Sequence, residues 1–241
     1  MRKINKLRGM VALWACLGVG SFVSAAPITT LFNTGVSAND SNGNPTGVLA
    51  DGATDTHWTL QSTPDTSTAA APFVVNQNGN TYPIDGTVWV LDNSLSKWIS
   101  LHANESTPAD TLYETPGSYT YTTTFNLTGF IPSTASITGK YWEDDFVTDI
   151  LINTTDTGLS QNGGNTNGAG QSFSITSGFI PGVNTLTFIV YNYPTNIRPN
   201  PTGLNVEMTG TATTLPEPAS LGFLAAGGVL AMRRRNRRAT K

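Results

Sequence analysis

Apolar and polar residues alternate with a period of two along most of the chain, and this pattern restricts the fold more than any other feature. It is clearest at 118–127, where Tyr119, Tyr121, Phe125 and Leu127 share one face and Ser, Thr and Asn occupy the other. Such alternation predicts a half-buried antiparallel strand. Further segments of this kind lie at 72–76, 87–92, 97–102, 135–142, 147–153, 171–176, 183–193 and 203–213. The sequence therefore predicts an all-β protein, a single antiparallel β-sandwich over residues 26–214.

Two short sequences echo each other within this region. FNLTGFIP at 125–132 is similar to FSITSGFIP at 173–181, and each follows one predicted strand and precedes another. Two copies are too few for a solenoid, so we interpret them as one strand-to-strand corner used twice. Polar, glycine-rich segments at 39–47 and 156–170 are predicted to be exposed loops.

The N-terminus has the pattern of a secretory signal peptide. Basic residues lie within positions 1–9, residues 10–23 are apolar, and the small residues Ser24, Ala25 and Ala26 follow. We predict that residues 1–25 are removed by cleavage after Ala25, because cleavage after Ala26 would leave Pro27 at the first mature position. Lipoprotein processing at Cys16, the single cysteine of the chain, is the alternative, which the bulky Trp14 disfavours.

The C-terminus combines three features in a fixed order. Pro216, Glu217 and Pro218 come first, and an uninterrupted small and apolar run at 219–232 follows them. As a helix this run would be about 21 Å long, short of the roughly 30 Å hydrocarbon core of a bilayer. A basic cluster that favours the cytoplasmic side closes the chain, and it contains Arg233, Arg234, Arg235, Arg237 and Arg238.

Residues 215–241 resemble the PEP-CTERM sorting signal, a segment that is also named the ice-binding protein C-terminal domain. The resemblance implies export by the Sec machinery and signal peptidase, then processing near Pro216–Pro218 by a membrane-embedded exosortase. It further implies a transient inner-membrane anchor through 219–232, a final place at the cell surface or outside the cell, and co-production with extracellular polysaccharide. An ordinary tail anchor is the alternative, which the helix-breaking prolines disfavour.

The body between the two ends resembles the galactose-binding-like jelly roll of many exported bacterial proteins. The resemblance rests on GSYTYTTTFNLTGF, ITGKYWEDDFVTDILIN, FSITSGFIPGVNTLTFIVYN and PTGLNVEMTGTA, in that order between residues 117 and 212. It implies a β-sandwich that binds carbohydrate and holds a structural calcium ion, with no other cofactor. It does not imply an enzyme.

An acidic cluster directly after Trp142 is the first candidate for chemistry. The cluster consists of Glu143, Asp144, Asp145 and Asp149. The three aspartates are predicted ligands of Ca²⁺, which prefers carboxylate oxygens. The spacing is not that of an EF-hand, so a solvated acidic turn is the alternative. Asp51 and Asp55, on either side of a glycine turn, form a second candidate pair.

Tryptophans are the second candidate, because flat aromatic rings stack on sugars. Trp58 and Trp142 lie beside acidic turns and are predicted to face a ligand, whereas Trp89 and Trp98 lie in apolar segments and are predicted to be core. An ice-binding face would need rows of threonine on several neighbouring strands. One row is readable at 120–124, and no neighbouring strand is predicted to repeat it.

Charge and motifs narrow the function. Residues 27–214 hold three basic and fifteen acidic residues, a net charge of −12, which disfavours binding to nucleic acid. No GxSxG, HExxH or P-loop pattern is present, and His57 and His102 are too far apart for a motif. We expect a non-enzymatic surface or matrix protein that binds extracellular polysaccharide. A secreted carbohydrate-active enzyme and a purely structural matrix protein without a small ligand are the alternatives.

Overall fold

A computed structural model describes residues 24–64, 66–77, 86–104, 114–161, 163–196 and 200–216. Residues 1–23, Glu217, Pro218 and the arginine cluster at 233–238 lie outside these ranges, and so do most of the predicted signal and sorting segments. The described residues contain strands and no helix, so none of their elements is an apolar helix able to cross a bilayer. The strands are β1 (Ala25–Pro27), β2 (Val36–Asn39), β3 (Pro45–Val48), β4 (Trp58–Ser62), β5 (Phe73–Val74), β6 (Ile99–Ser100), β7 (Gly117–Asn126), β8 (Phe130–Asp144), β9 (Phe146–Ile152), β10 (Thr155–Asp156), β11 (Gln171–Ile175), β12 (Val183–Asn192) and β13 (Gly203–Thr214).

Two antiparallel sheets pack face to face. The first sheet has six strands in the order β11-β8-β13-β6-β5, with β1 paired to β13, and the second has five in the order β10-β9-β12-β7-β4. Strands β2 and β3 form a separate pair. This arrangement confirms the prediction of an all-β, sandwich-like fold for the described part of the chain.

The period-two alternation explains how the sheets join. Strands β7 and β12 pair over ten positions, and Tyr121 and Phe188 lie opposite each other on the inner face. From the first sheet, Tyr141 and Phe173 meet the ring of Phe188 edge-on, at centroid distances of 5.5 and 5.8 Å. Burial of each such ring stabilises the fold by about 1.5–3 kcal/mol, so this aromatic centre holds the two layers together.

The two echoed sequences are the corners at which the chain changes sheets. The first leads from β7 in the second sheet to β8 in the first, and the other leads back from β11 to β12. The corners also touch, because the amide of Leu127 donates a hydrogen bond to the carbonyl of Gly182 at 2.8 Å. Phe125 and Phe179 pack edge-to-face beside them. The prediction that one corner is used twice is confirmed.

The prediction of a strand at 87–92 is wrong. Residues 86–98 are irregular, and their tryptophans pack against the outer face of the first sheet. Trp89 and Trp98 are fully buried and stack at 4.2 Å, in a cluster that also contains Val75 and Trp142. The alternation at 87–92 thus reflects contact with this second, smaller apolar cluster and not a strand in a sheet.

Both segments predicted to be loops contain more structure than their composition indicates. Residues 39–47 include the ends of β2 and β3, joined by a turn in which Asp40 accepts hydrogen bonds from the amides of Asn42 and Asn44. The segment at 156–170 begins in β10 and is bonded to β8, where the amide of Glu143 donates to the carbonyl of Asn165 at 3.3 Å. Polar strands that bury little apolar surface leave no periodic signal in the sequence.

The first and last described strands lie side by side. Ala25 pairs with Thr213, and the amide of Thr214 donates to the carbonyl of Ser24 at 3.3 Å. The predicted cleavage point between Ala25 and Ala26 therefore falls inside β1. On the other side of β13, the amide of Leu215 donates to the carbonyl of Gly129 at 2.7 Å.

Candidate functional site

Two of the predicted calcium ligands, Asp144 and Asp145, have neighbouring side chains at the junction of β8 and β9, but the third, Asp149, does not join them. Asp144 accepts a hydrogen bond from the indole nitrogen of Trp89 at 2.8 Å, and Asp145 accepts one from the amide of Tyr193 at 2.5 Å. Asp149 lies further along β9, opposite Ile189 on the outer face of the second sheet. Among the described residues, no three His, Cys, Asp or Glu side chains are grouped so as to hold a metal ion. A structural Ca²⁺ stays a prediction.

Glu143 is the unusual member of the acidic cluster. Its side chain is fully buried, and neither carboxylate oxygen has a hydrogen-bond partner in the part of the chain that the structure describes. Burial, and then the nearby Asp144, raise the pKa of Glu143 to about 9. Burial and the neighbouring Asp145 also raise the pKa of Asp144. Glu143 is therefore neutral at pH 7.

The two tryptophans predicted to face a ligand are buried. Trp58 points into the sandwich and packs near Phe188, and its exposed fraction is 0%. Trp142 points to the outer face of the first sheet, where the ammonium group of Lys140 lies 4.7 Å above its ring and only 2% of the residue is exposed. Neither ring has a free face for a sugar in this structure, which corrects that expectation.

The second acidic pair has other partners. Asp55 is buried and accepts hydrogen bonds from the amides of Gly35 and His57, and Asp51 forms an ion pair with Lys97 at 2.5 Å. Burial raises the pKa of Asp55. These contacts hold turns together, and they do not bring the two carboxylates to one site.

An aromatic patch that the sequence reading missed lies next to Asp145. We use this name for Phe146, Tyr191 and Tyr193, on the outer face of the second sheet. Phe146 and Tyr191 stack at 5.3 Å, and Tyr193 lies 6.5 and 6.4 Å from them. Tyr193 is 59% exposed, and the other two are half-buried. The alternation in β12 was the available signal, because Val190 faces inward and its neighbours at 191 and 193 must face outward.

Threonine rows continue from the aromatic patch along the same face, which is a second correction. Thr122 of β7 lies opposite Thr59 of β4 on one side and Thr187 of β12 on the other. Thr124 of β7 lies opposite Thr185 of β12. Neighbouring strands do repeat the threonines of β7, because β12 carries its own pair at matching register. We call these five residues the threonine rows.

A groove of about 420 Å³ lies on the opposite side of the molecule, over the first sheet. Its charged residues are Lys140 and Glu207, which form an ion pair at 3.0 Å. Asn93 and Ser96 also donate hydrogen bonds to Glu207. The charges of the groove are thus matched internally, and the nearest large ring, that of Trp142, lies buried beneath Lys140.

The outer face of the second sheet combines aromatic rings, hydroxyl groups and little charge. Its described outward positions include Asp149 and Asp156 and no basic residue. Such a surface suits a neutral, hydroxyl-rich ligand better than an anion. Compared with known proteins, the chain matches no family model, no curated protein and no solved structure.

Proposed function

We propose that this is an exported surface or matrix protein whose β-sandwich binds a neutral extracellular polysaccharide through the aromatic patch. The proposal includes removal of residues 1–25 on export and sorting through the PEP-CTERM-like segment 215–241 by an exosortase. Its binding part is carried by one observation, the grouping of Phe146, Tyr191 and Tyr193 on an exposed sheet face. The sorting part is supported by the order of features at the two ends of the sequence.

The aromatic patch has the physical properties that sugar binding needs. Aromatic rings gain energy by covering the apolar C–H surface of a sugar ring, and tyrosine adds a hydroxyl that hydrogen-bonds at the rim. Tyr193 is accessible, and its backbone is fixed by the bond from its amide to Asp145. With a net charge of −12 over residues 27–214, the body repels polyanions, which favours a neutral polymer.

Binding is proposed in preference to turnover. A general acid must reach the bond that it protonates, and Glu143, which burial keeps protonated at pH 7, is enclosed in the core. For the finer fold we propose a galactose-binding-like jelly roll. The two-sheet antiparallel architecture and the paired inter-sheet corners support this assignment.

Substitution of the exposed tyrosine tests binding. Affinity electrophoresis of the exported protein through gels containing galactomannan, β-glucan or xylan is expected to show retardation by at least one polymer. Tyr193→Ala should lower that affinity at least about tenfold, because it removes the most accessible ring and keeps the backbone bond to Asp145. Leu91→Ala is the matched control, since Leu91 is also 59% exposed and lies outside the patch. Equal retardation of both variants and the wild type would contradict the proposal.

Intact mass of the protein recovered from its host tests sorting. With an active exosortase, the species is expected to begin at Ala26 and to end near Pro216–Pro218. Without exosortase activity, the chain should extend to Lys241. A tail that persists under both conditions would identify the segment as an ordinary membrane anchor and would leave the binding proposal standing.

A further inference from the structure

We propose that the ligand is an extended polysaccharide chain that runs along β7 and β12, from the aromatic patch across the threonine rows. This inference rests on the proposed function and goes further, because it assigns a multi-subsite surface and a minimum ligand length. The patch alone would hold one or two sugar rings. The rows would hold the sugars that follow.

The register of the strands places the rows in line with the patch. At the patch end of the face, Tyr191 of β12 pairs with Ser118 of β7 and with Phe146 of β9. The next outward pairs between β12 and β7 are, in order, Ile189 with Thr120, Thr187 with Thr122 and Thr185 with Thr124. Every second residue of a strand faces outward, so successive rows are about 6.8 Å apart, while neighbouring strands are about 4.8 Å apart. Two threonine pairs therefore follow each other along one direction, and Ile189 lies between them and the aromatic patch.

The hydroxyl groups differ in what they already bond. Thr122 and Thr187 are only 8% and 9% exposed and bond to each other at 3.1 Å, and Thr120 accepts from Ser62 at 3.2 Å. These residues fix the centre of the face and are not themselves contacts for a sugar. Within the described chain, the hydroxyls of Thr59, Thr124 and Thr185 make no side-chain hydrogen bond. Thr124 is exposed and Thr185 half-buried. Both are therefore available to sugar hydroxyls, which donate as well as accept.

The charges on this face select among polymers. Asp149 lies opposite Ile189 and Asp156 opposite Leu151, so carboxylates border the rows on the β9 side. They would repel uronate-containing chains and accept hydrogen bonds from neutral sugars. A neutral chain is the ligand that satisfies the rings, the hydroxyls and the charges together.

Chain-length dependence tests the inference. Calorimetry measures the affinity of the exported protein for oligosaccharides of two to six sugars. The oligosaccharides are prepared from the polymer, galactomannan, β-glucan or xylan, that retards the protein in the gel. The hexasaccharide should bind at least about tenfold more tightly than the disaccharide. The double variant Thr124→Val with Thr185→Val should lose about tenfold for the hexasaccharide and less than about twofold for the disaccharide. Valine keeps the shape and the strand preference, so folding is preserved.

Controls separate this inference from the binding proposal. Thr138→Val, at an exposed position on the first sheet, should change neither affinity. Tyr193→Ala should weaken binding of every length. If length has no effect and the double variant binds normally while Tyr193→Ala does not, the extended site is overturned and the patch stands. If the wild type binds no sugar of any length, both fail. Thermal hysteresis that the double variant loses, without sugar binding, would assign the rows to ice and overturn both.

Discussion

At the scale of single residues, Glu143 places an ionisable group where the sandwich is otherwise apolar. It is on the inner side of β8, two residues after Tyr141, and its carboxyl oxygens have no partner in the described chain. A buried carboxylate without a hydrogen bond is costly, so the folded protein keeps this group protonated. Sequence alone found Glu143 as part of an acidic cluster. It could not show that this residue points inward while its neighbour Asp144 meets Trp89.

This residue predicts a pH dependence of stability. The pKa of Glu143 is raised from 4.5 to about 9, so between these values the folded chain holds a proton that the unfolded chain has released. The contribution of this proton to the free energy of unfolding is therefore fully present below about pH 4.5 and is lost as the pH rises towards 9. Glu143→Gln cannot ionise, and it should melt about 5 °C above the wild type at pH 8 but close to it at low pH.

The control for this prediction is Asp40, a carboxylate whose pKa shifts in the opposite direction. Hydrogen bonds from Asn44 and Asn42 lower the pKa of Asp40, so its ionised form favours folding and protonation weakens it. Asp40→Asn should give no gain at pH 8. The measurement is the melting temperature by circular dichroism across the pH range. A Glu143→Gln protein whose difference from the wild type is the same at low pH and at pH 8 would disprove the proton assignment.

The prediction that two tryptophans face a ligand was wrong because it depended on which sheet face is covered. Trp58 and Trp142 adjoin acidic turns in the sequence, but the first faces the core and the second lies beneath Lys140. The alternation of β12 places Tyr191 on the opposite face from Val190. The pattern says which side chains share a face, and only the sheet order says which face remains open.

At the scale of elements, the long strands were readable and the short ones were not. Strands β7, β12 and β13 lie close to the predicted segments, because each buries an apolar side chain at every second position. Strands β1, β2, β3 and β4 lie outside the predicted segments, since each has only three to five residues, too few for a clear alternation. The segment at 87–92 has the alternation of a strand because its tryptophan, Trp89, packs against the outer face of a sheet.

The close approach of β8 and β13 yields a prediction at this scale. Gly139 of β8 pairs with Met208 of β13 and Phe173 of β11. A Cβ at this position would collide with the carbonyl of Glu207 and approach both Met208 and the ring of Phe173 to 2.8 Å. Gly139→Ala should therefore lower the free energy of unfolding by about 3 kcal/mol, because two strands must separate to admit one methyl group.

The matched control is Gly158→Ala, where no atom lies within 4 Å of the added Cβ. Its φ of +72° costs the alanine about 1 kcal/mol of backbone strain and nothing more. Urea denaturation gives both free energies from midpoints at an unchanged slope. If the two substitutions prove equally costly, the packing of β8 against β13 is looser than the structure indicates.

At the scale of the whole molecule, the sequence is most informative about architecture and least informative about the outer face of the second sheet. Alternation and turn clusters predicted an all-β sandwich, and the echoed sequences predicted its paired corners. The threonine rows were not predictable from one strand, because a row becomes a surface only when β4 and β12 bring their threonines to the same level as those of β7. Register between strands distant in sequence is set by the whole sandwich.

The pairing of β1 with the end of β13 determines how the sandwich responds to mechanical tension. Ala26, the first residue of the body, pairs with Ala212 near its other end, so opposed forces on the two ends of the body act at a single edge. When an antiparallel pair is pulled from the same end, its hydrogen bonds break one after another. In shear geometry, all of the bonds would bear the force together. We expect β1 to peel away under low force, while the inter-sheet core carries no load until that strand has been released.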